Sequence, residues 1–545
     1  MSHRLRSLRW RVGLRRMAWA GLGAVLAIAI AAFAGSAAER IQFFYGPFEP
    51  TIWVEDLAHF AATGQSRDRL QFFTQHLTPA QQQDLRRVLN WQVDLDVVVV
   101  DRLLRTSLGD RLFHHLGEIL QTASFQNGQA ALRAAFIAAT VDESGLSPIS
   151  VVRHYPLETI QLNHRRLQTL SRNHAAMVAR QAQAVAALRA EAQTRRDRVT
   201  LPRQLPDPQQ PGPYRWQRQP IAYRNPLRTT RPVAQLYLPE SASVAPESVP
   251  VVVFSHGAAS EPETFGYLAE HLASHGYGVV MLRHDDTAGQ YAQAFQGKVP
   301  FPGPGLFLSR PADVTAVLDA LAEKAVDSPS LRSLNLQAVA VMGHSFGGYT
   351  ALAVAGAKPN PDRLTQVCDQ PLESWRGLNL SMVMQCDLLA IQGDLPASLR
   401  DPRVASAIAL NPFMNGVFGP EGLAQAAVPV MVMAGTQDLL TPALIEQIEP
   451  FAWLQGDRNC FVVLENATHF SFLNNALQEG VLPLPNLLTG PDRRAAQRHL
   501  KALSLSFLNA TIGDRPKAAQ FLTQSYVDSV DSGAFRVSVV YGEHG

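Results

Sequence analysis

The sequence predicts an α/β protein in which a domain built on a mostly parallel sheet follows a smaller, mainly helical domain. From about residue 214, short β-branched runs alternate with helical stretches, as in a sheet covered by helices on both faces. Residues 39–200 carry mostly helical signals, and residues 201–213 contain five prolines without periodicity, which is typical of a linker. We therefore expect one large α/β domain over residues 214–510, followed by a C-terminal helix and tail over residues 511–545.

The first 38 residues have the three parts of an export signal. Six arginines without any acid end at Arg16, a mostly apolar run covers residues 17–34, and small residues follow up to Ala38. Cleavage after Ala38 is one reading, and an uncleaved anchor in the inner membrane is the other. Either way we expect an exported protein of the periplasm or cell envelope that associates with the membrane through this segment if it is retained.

The charge outside this segment disfavours nucleic acid as a partner. The formal net charge is +2, but the six arginines hide a net charge of −4 on the remaining residues, whereas phosphate binding needs a concentrated basic face. The sequence contains no zinc, phosphate-loop or dinucleotide motif, so we expect no cofactor. Of the three cysteines, Cys368 and Cys386 could form a disulfide in an exported protein, and Cys460 reads as a core residue.

The helical domain shows architecture but no catalytic cluster. Residues 41–54 resemble a small hairpin, and Thr78-Pro79-Ala80-Gln81 has the pattern of a capped helix start. Leucines recur every four residues from Leu104 to Leu120, which predicts one helix face. The polar, alanine-rich residues 164–198 predict an exposed helix.

Six near-continuous apolar runs predict the strands of the second domain. They are Val251–Phe254, Gly278–Leu282, Ala338–Met342, Val404–Leu410, Val430–Met433 and Phe461–Leu464.

The third of these runs leads directly into Gly343-His344-Ser345-Phe346-Gly347, and a small-residue helix follows. A strand, Gly-x-Ser-x-Gly and a helix in this order are what a nucleophile elbow requires, because the sharp turn projects the serine hydroxyl above the sheet. The sequence therefore identifies Ser345 as the candidate nucleophile.

A serine nucleophile needs a histidine base and a carboxylate that orients it, in the chain order Ser, acid, His. Asp438 follows the fifth predicted strand and His469 follows the sixth, so both should lie at the sheet edge where Ser345 emerges. Glu465 is the rival acid, but it is close to His469 in sequence. Asn411, after the fourth strand, has no charge to offer.

Acyl transfer also needs N–H donors for an oxyanion. The N–H of Phe346, directly after the nucleophile, is one candidate. The second is the N–H of Ala258, in the loop Ser255-His256-Gly257-Ala258-Ala259 after the first predicted strand. We interpret His256 as a side chain that holds this loop.

With these motifs in order, residues 214–510 resemble the α/β-hydrolase family, in the branch of platelet-activating-factor acetylhydrolases and dienelactone-hydrolase-like enzymes. The segments at residues 284–287 and 310–313 are similar to strand-end and helix-start motifs of that branch. Serine at the elbow departs from true dienelactone hydrolases, which use cysteine. Residues 39–200, notably 45–49 and 54–57, resemble the uncharacterised helical region that precedes such hydrolases in cyanobacterial envelope proteins.

The sequence thus predicts an exported serine hydrolase of the carboxylesterase or lipase type that acts on a small-molecule ester or lipid. Three segments could border the site, 289–309, 358–400 and 471–492, and their apolar residues favour a hydrophobic acyl group. The same segments could simply pack as a cap. A serine peptidase with the same triad, or a non-catalytic envelope binding protein that retains the fold, stays open as an alternative.

Overall fold

The computed structural model describes residues 38–44, 48–143, 145–196, 206–240, 245–370, 379–474, 490–513, 515, 520–530 and 533–542. The predicted export signal or anchor, apart from Ala38, lies outside the described residues, as do residues 201–205 of the predicted linker.

The chain divides into two compact units between Gln168 and Thr169. The first unit contains a four-stranded sheet in the order β2-β1-β4-β3. Its strands are β1 Arg40–Gln42, β2 Thr51–Trp53, β3 Leu120–Thr122 and β4 Thr159–Leu162. Its helices are α1 Val54–Thr63, α2 Asp68–Thr74, α3 Pro79–Leu89, α4 Val97–Leu104, α5 Ser107–Ile119, α6 Gln129–Val141 and α7 Pro148–Arg153, and α8 His164–Arg196 begins there.

Local sequence signals account for two elements of this unit. β1 and β2 pair antiparallel as the predicted hairpin, and Thr78 and Gln81 form a capping box at the start of α3. The prediction of one continuous leucine face is wrong, because the five leucines fall on α4, α5 and β3. The Thr106 hydroxyl accepts a hydrogen bond from Gly109 N at 3.0 Å and starts a new helix after Leu104.

The second unit is built on nine described strands in one sheet, in the order β13-β12-β11-β10-β9-β7-β8-β6-β5. The six strands from β12 to β8 in this order are parallel, and the edge strands β5, β6 and β13 are antiparallel. The strands are β5 Trp216–Ala222, β6 Val233–Pro239, β7 Val249–Ser255, β8 Gly278–Met281, β9 Leu334–His344, β10 Val404–Leu410, β11 Val430–Gly435, β12 Cys460–Leu464 and β13 Val537–Tyr541.

Helices and the buried faces of this sheet form the core of the second unit. The helices are α9 Gly266–Ser274, α10 Ala288–Phe295, α11 Leu306–Ala325, α12 Pro329–Arg332, α13 Phe346–Val354, α14 Pro361–Cys368, α15 Ser381–Gln385, α16 Gly419–Leu423, α17 Glu449–Phe451, α18 Arg493–Thr511 and α19 Gln524–Ser529. Segments Pro262–Phe265 and Cys386–Asp394 are 3₁₀-helical, and Leu444–Ile448 is a π-helical turn.

All six predicted strands form and occupy the parallel centre, which confirms the predicted α/β class with a mostly parallel sheet. The C-terminal end differs from the prediction of a helix and tail, because β13 pairs with β12 and extends the sheet to Tyr541. The antiparallel edge strands β5, β6 and β13 escaped prediction since their runs mix polar and apolar residues.

The boundary between the units also lies earlier than the proline-rich segment. From Thr169 onward α8 belongs to the second unit, where Met177 packs against Leu444 and Ile445. The prediction that this helix is simply exposed is therefore wrong. Its alanine-rich composition concealed a narrow buried stripe that includes Leu170 and Val185.

Cys368 and Cys386 are joined by a disulfide that ties α14 to the 3₁₀ segment, and Cys460 is a buried free thiol. Among the helices of the described residues, none is both long and apolar enough to span a membrane.

The pH dependence of stability can be predicted from His271, which α9 buries in the second unit. Burial lowers the pKa of this imidazole to about 3. Below an unfolded-state pKa of about 6.5, the unfolded chain binds a proton that the folded chain does not, so stability falls as the pH falls. The loss is about 1.4 kcal/mol between pH 7.5 and pH 5.5.

We therefore expect His271→Leu to reduce the difference in the free energy of unfolding between pH 7.5 and pH 5.5 by about 1.4 kcal/mol. Urea denaturation followed by tryptophan fluorescence at the two pH values measures this difference. Identical pH dependence in the variant and the parent would contradict the prediction.

Candidate active site

Ser345 lies at the junction between β9 and α13 with φ 55° and ψ −115°, a conformation that a residue with a side chain rarely adopts. Two glycines allow the turn. A Cβ on Gly343 would lie 2.1 Å from the carbonyl oxygen of Gly347, and one on Gly347 would lie 1.9 Å from that of Ser255. The two glycines of Gly-x-Ser-x-Gly are thus required because neighbouring backbone leaves no room for a side chain. The resulting turn has the geometry of a nucleophile elbow.

Ser345 is half-buried, and its hydroxyl forms no hydrogen bond within the described part of the chain. The loop after β7 lies beside it, since a Cβ on Gly257 would be 3.5 Å from Ser345 Cβ. The backbone N–H of Ser345 donates to the carbonyl of Leu410 at 2.8 Å, which fixes the turn to the end of β10.

Asp438 and His469 meet as the sequence predicted they should. His469 Nδ1 lies 2.7 Å from Asp438 Oδ2, and both side chains are buried. Asp438 also accepts from the backbone N–H groups of Leu440 and Thr441 at 2.8 Å and from the Thr441 hydroxyl at 2.8 Å. Because Asp438 can only accept, His469 Nδ1 carries the proton and Nε2 carries the lone pair.

His344 and Asn411 hold His469 in place, a role that the sequence analysis did not assign to them. His344 Nε2 donates to the carbonyl of His469 at 2.9 Å, and the two rings are 4.7 Å apart. Asn411 Nδ2 donates to the same carbonyl at 3.2 Å, while Asn411 Oδ1 accepts from Gly435 N at 3.0 Å. Since His344 precedes Ser345 directly, these contacts place the histidine loop next to the elbow. No hydrogen bond joins Ser345 Oγ to His469 among the described residues.

Glu465, the rival acid, is engaged elsewhere. Its carboxylate binds the guanidinium of Arg189 from α8, with Nη2 at 2.6 Å from each oxygen and Nε at 3.1 Å from Oε1. Gln181 of the same helix donates to the carbonyl of Thr436 at 2.9 Å. The helix therefore braces the two loops that carry Asp438 and His469.

Both predicted oxyanion donors are free to receive a ligand. Within the described ranges, neither the N–H of Phe346 nor the N–H of Ala258 donates a hydrogen bond. The Phe346 N–H is also the first of α13, whose N-terminal dipole favours negative charge. Ala258 directly follows Gly257 and Phe346 directly follows Ser345, so the two donors belong to the two segments that the contact between Gly257 and Ser345 brings together.

Behind the Ala258 loop, the two motifs of the family resemblance converge in a buried polar network. His284 Nε2 lies 2.8 Å from Ser255 Oγ and His284 Nδ1 lies 2.7 Å from Asp313 Oδ2. The arrangement copies a Ser-His-Asp chain, but all three side chains are buried, so no substrate can reach it. This network therefore has a structural role. Arg228 and Asn225 donate hydrogen bonds to the same Asp313 carboxylate.

Burial disfavours the charged form of three histidines behind and beside the elbow. It lowers the pKa of His256, His284 and His344 well below the usual range, and in His256 and His284 the neighbouring Arg310 lowers it further. His256 holds the loop as interpreted from the sequence, with Nδ1 2.7 Å from Gly257 O and Nε2 accepting from His284 N at 3.1 Å.

The three predicted border segments differ in what they contribute. Phe307 packs inward against Phe346 and Tyr349 and so belongs to the core. Residues 371–378 and 475–489 of the other two segments lie outside the described residues. Next to the acid, Leu439 exposes 54 % of its surface, an apolar side chain that the sequence analysis overlooked. In the described ranges, no group of three His, Cys, Asp or Glu side chains is arranged to hold a metal ion.

Two family models match the chain. Residues 252–479 match the alpha/beta hydrolase family, and this range includes Ser345, Asp438 and His469. Residues 37–163 match a model described as an alpha/beta hydrolase of unknown function. A search of curated proteins found no match. The matches agree with the α/β-hydrolase fold and suggest hydrolase activity. The closer resemblance to the platelet-activating-factor acetylhydrolase branch and to cyanobacterial envelope proteins stays a prediction.

The contrast between the two acids can be tested directly. We expect Asp438→Asn to lower kcat by roughly 10⁴-fold, because an amide stabilises the wrong tautomer of His469. The matched variant Glu465→Gln should keep a rate close to that of the parent, since that side chain faces Arg189. Hydrolysis of a chromogenic ester measures both, and a larger loss in the Glu465 variant would reverse the assignment.

Proposed function

We propose that this protein is an exported serine hydrolase that cleaves carboxylic esters with a hydrophobic acyl group through an acyl-enzyme. The observation that carries the proposal is the 2.7 Å contact between His469 Nδ1 and Asp438, held beside a strained elbow serine. Ser345, Asp438 and His469 are its catalytic residues, and the N–H groups of Phe346 and Ala258 form its oxyanion hole.

In the first half-reaction, Ser345 Oγ attacks the ester carbonyl carbon and its proton passes to His469 Nε2. The carbonyl π electrons move to oxygen, and the N–H groups of Phe346 and Ala258 stabilise the oxyanion. Asp438 stabilises the imidazolium without taking its proton. The tetrahedral intermediate collapses, and the alcohol leaves with the proton that His469 returns.

In the second half-reaction, His469 Nε2 takes a proton from water, whose oxygen attacks the acyl carbon of the ester on Ser345. The same two donors stabilise the second oxyanion. Collapse releases the carboxylic acid and returns the proton to Ser345 Oγ. The two half-reactions therefore complete the catalytic cycle without a metal or redox cofactor.

The surroundings of the acid support a hydrophobic substrate. Leu439 is exposed directly after Asp438, and the N–H of Ser381 donates to the carbonyl of Leu440 at 2.9 Å, which brings exposed Leu380 to the same region. Two exposed leucines beside a serine site favour contact with an acyl chain over contact with a charged peptide. A small-molecule ester or lipid fits this surface.

Export rests on residues 1–38, whose arginine-rich start, apolar run and small residues support delivery to the periplasm or cell envelope. If the segment is retained, it supplies the membrane association. Fractionation of cells that express the full chain tests both, and recovery in the cytoplasm with an intact N-terminus would refute export.

The nucleophile is tested by Ser345→Ala. We expect this change to lower p-nitrophenyl ester hydrolysis by about 10⁶-fold, because removal of the nucleophile alone costs about as much as removal of the whole triad. Covalent labelling by a fluorophosphonate should disappear with it. Labelling that persists in the variant would overturn the assignment of Ser345.

An acyl chain-length series on the mature protein tests the substrate class. We expect kcat/KM to be higher for medium-chain esters than for acetate, because a longer chain buries more apolar surface against Leu380 and Leu439. Ser345→Ala supplies the background rate. Faster cleavage of aminoacyl amides than of esters would favour a peptidase, and a folded protein inert to both classes would favour a binding protein.

A further inference from the structure

We propose that Arg310 is the positioning residue of the oxyanion hole: its guanidinium aims the Ala258 N–H at the substrate and supports the Phe346 donor from behind. The inference rests on the proposed function, since it names the group that sets the geometry of that same site. No part of the sequence analysis gave Arg310 this role.

Arg310 is fully buried, and its guanidinium contacts the backbone carbonyl groups of the loop after β7. Nη1 donates to His256 O at 2.6 Å, and Nη2 is 3.4 Å from Gly257 O. His256 Nδ1 adds a contact to Gly257 O at 2.7 Å. The carbonyl of Gly257 therefore contacts two buried donors, the Arg310 guanidinium and the His256 ring.

That contact sets the direction of the second oxyanion donor. Gly257 O and the N–H of Ala258 belong to one planar trans peptide, so they point in opposite directions. When the carbonyl is turned toward Arg310, the N–H is turned away from the guanidinium, and the peptide itself lies beside the elbow, since a Cβ on Gly257 would be 3.5 Å from Ser345 Cβ. Loss of the guanidinium would free this peptide to rotate and remove the donor.

Asp286 holds the same loop through both its carboxylate and its backbone carbonyl. Both oxygens of its carboxylate accept from Arg310 Nη2, at 2.7 and 2.8 Å, and its backbone carbonyl accepts from Ala259 N at 2.9 Å. Ala259 itself has φ 51°, so the turn is held in a strained conformation. One ion pair thus fixes the peptides on both sides of Ala258.

The same guanidinium also lies against the first donor. Its carbon atom is 4.5 Å from the centroid of the Phe346 ring, within the distance for a cation–π contact. Arg310 therefore touches residues from both halves of the oxyanion hole, although they come from separate strands. A geometric error of about 1 Å in such a site can cost about 100-fold in rate.

The test is Arg310→Lys, which retains the positive charge opposite Asp286 but lacks the planar fork that reaches two carbonyls at once. We expect kcat for a chromogenic ester to fall by about 10- to 100-fold, with a smaller change in KM, because oxyanion stabilisation acts in the transition state. Affinity for an alkyl trifluoromethyl ketone, whose adduct with Ser345 carries the oxyanion, should fall in parallel.

Arg403→Lys is the matched control. Arg403 also pairs with a buried aspartate, Asp401, but it lies near the start of β10, at the sheet edge opposite to Ser345. The Arg403→Lys variant should retain the kcat of the parent protein and its affinity for the trifluoromethyl ketone. If Arg310→Lys behaves like this control, the inference is overturned while the proposed function stands. If the parent lacks turnover that depends on Ser345, both are overturned.

A second variant covers the case in which Arg310→Lys does not fold. The double change R310Q/D286N removes both buried charges together, so no unpaired carboxylate is left inside the protein. We expect it to lower kcat and the affinity for the ketone by at least as much as Arg310→Lys. A folded double variant with the parent's kcat would overturn the inference.

Discussion

The carbonyl of Ser255 and the backbone of Gly347 approach so closely that any side chain at Gly347 would overlap the oxygen. This contact joins the end of β7 to the first turn of α13. It therefore sets the distance between the loop that carries Ala258 and the turn that carries Ser345. The strained turn at Ser345 and the placement of the two free N–H groups beside it depend on this contact.

Neutral side chains, rather than charged ones, hold the backbone of His469 at this edge of the sheet. His344 and Asn411 hold His469 by its carbonyl, which leaves the imidazole to interact with Asp438. Burial lowers the pKa of His344, so it remains a neutral donor next to the proposed base. A positively charged side chain at this position would oppose the imidazolium of the proposed mechanism.

Much of the site follows from local sequence pattern, because parallel strands are continuous apolar runs and their carboxyl ends share one edge. Ser345, Asp438 and His469 were placed by that rule. Arg310 and Asn411 were not, since an arginine inside a helix and an asparagine after a strand have many ordinary explanations. The antiparallel edges escaped for a related reason: β5 has a run of three polar residues in place of a continuous apolar run, and β13 depends on its pairing with β12.

Local sequence patterns are enough to predict the α/β class, the strand-turn-helix at Ser345 and the strand ends that carry the candidate acid and base, because each pattern lies within a few neighbouring residues. Tertiary packing determines which acid faces the histidine, since Arg189, which is far from Glu465 in the sequence, forms an ion pair with it. It also decided that the motifs around His284 and Arg310 meet behind the Ala258 loop. Contacts between residues far apart in the chain carry no local signal, and burial of polar groups becomes visible only when the elements pack.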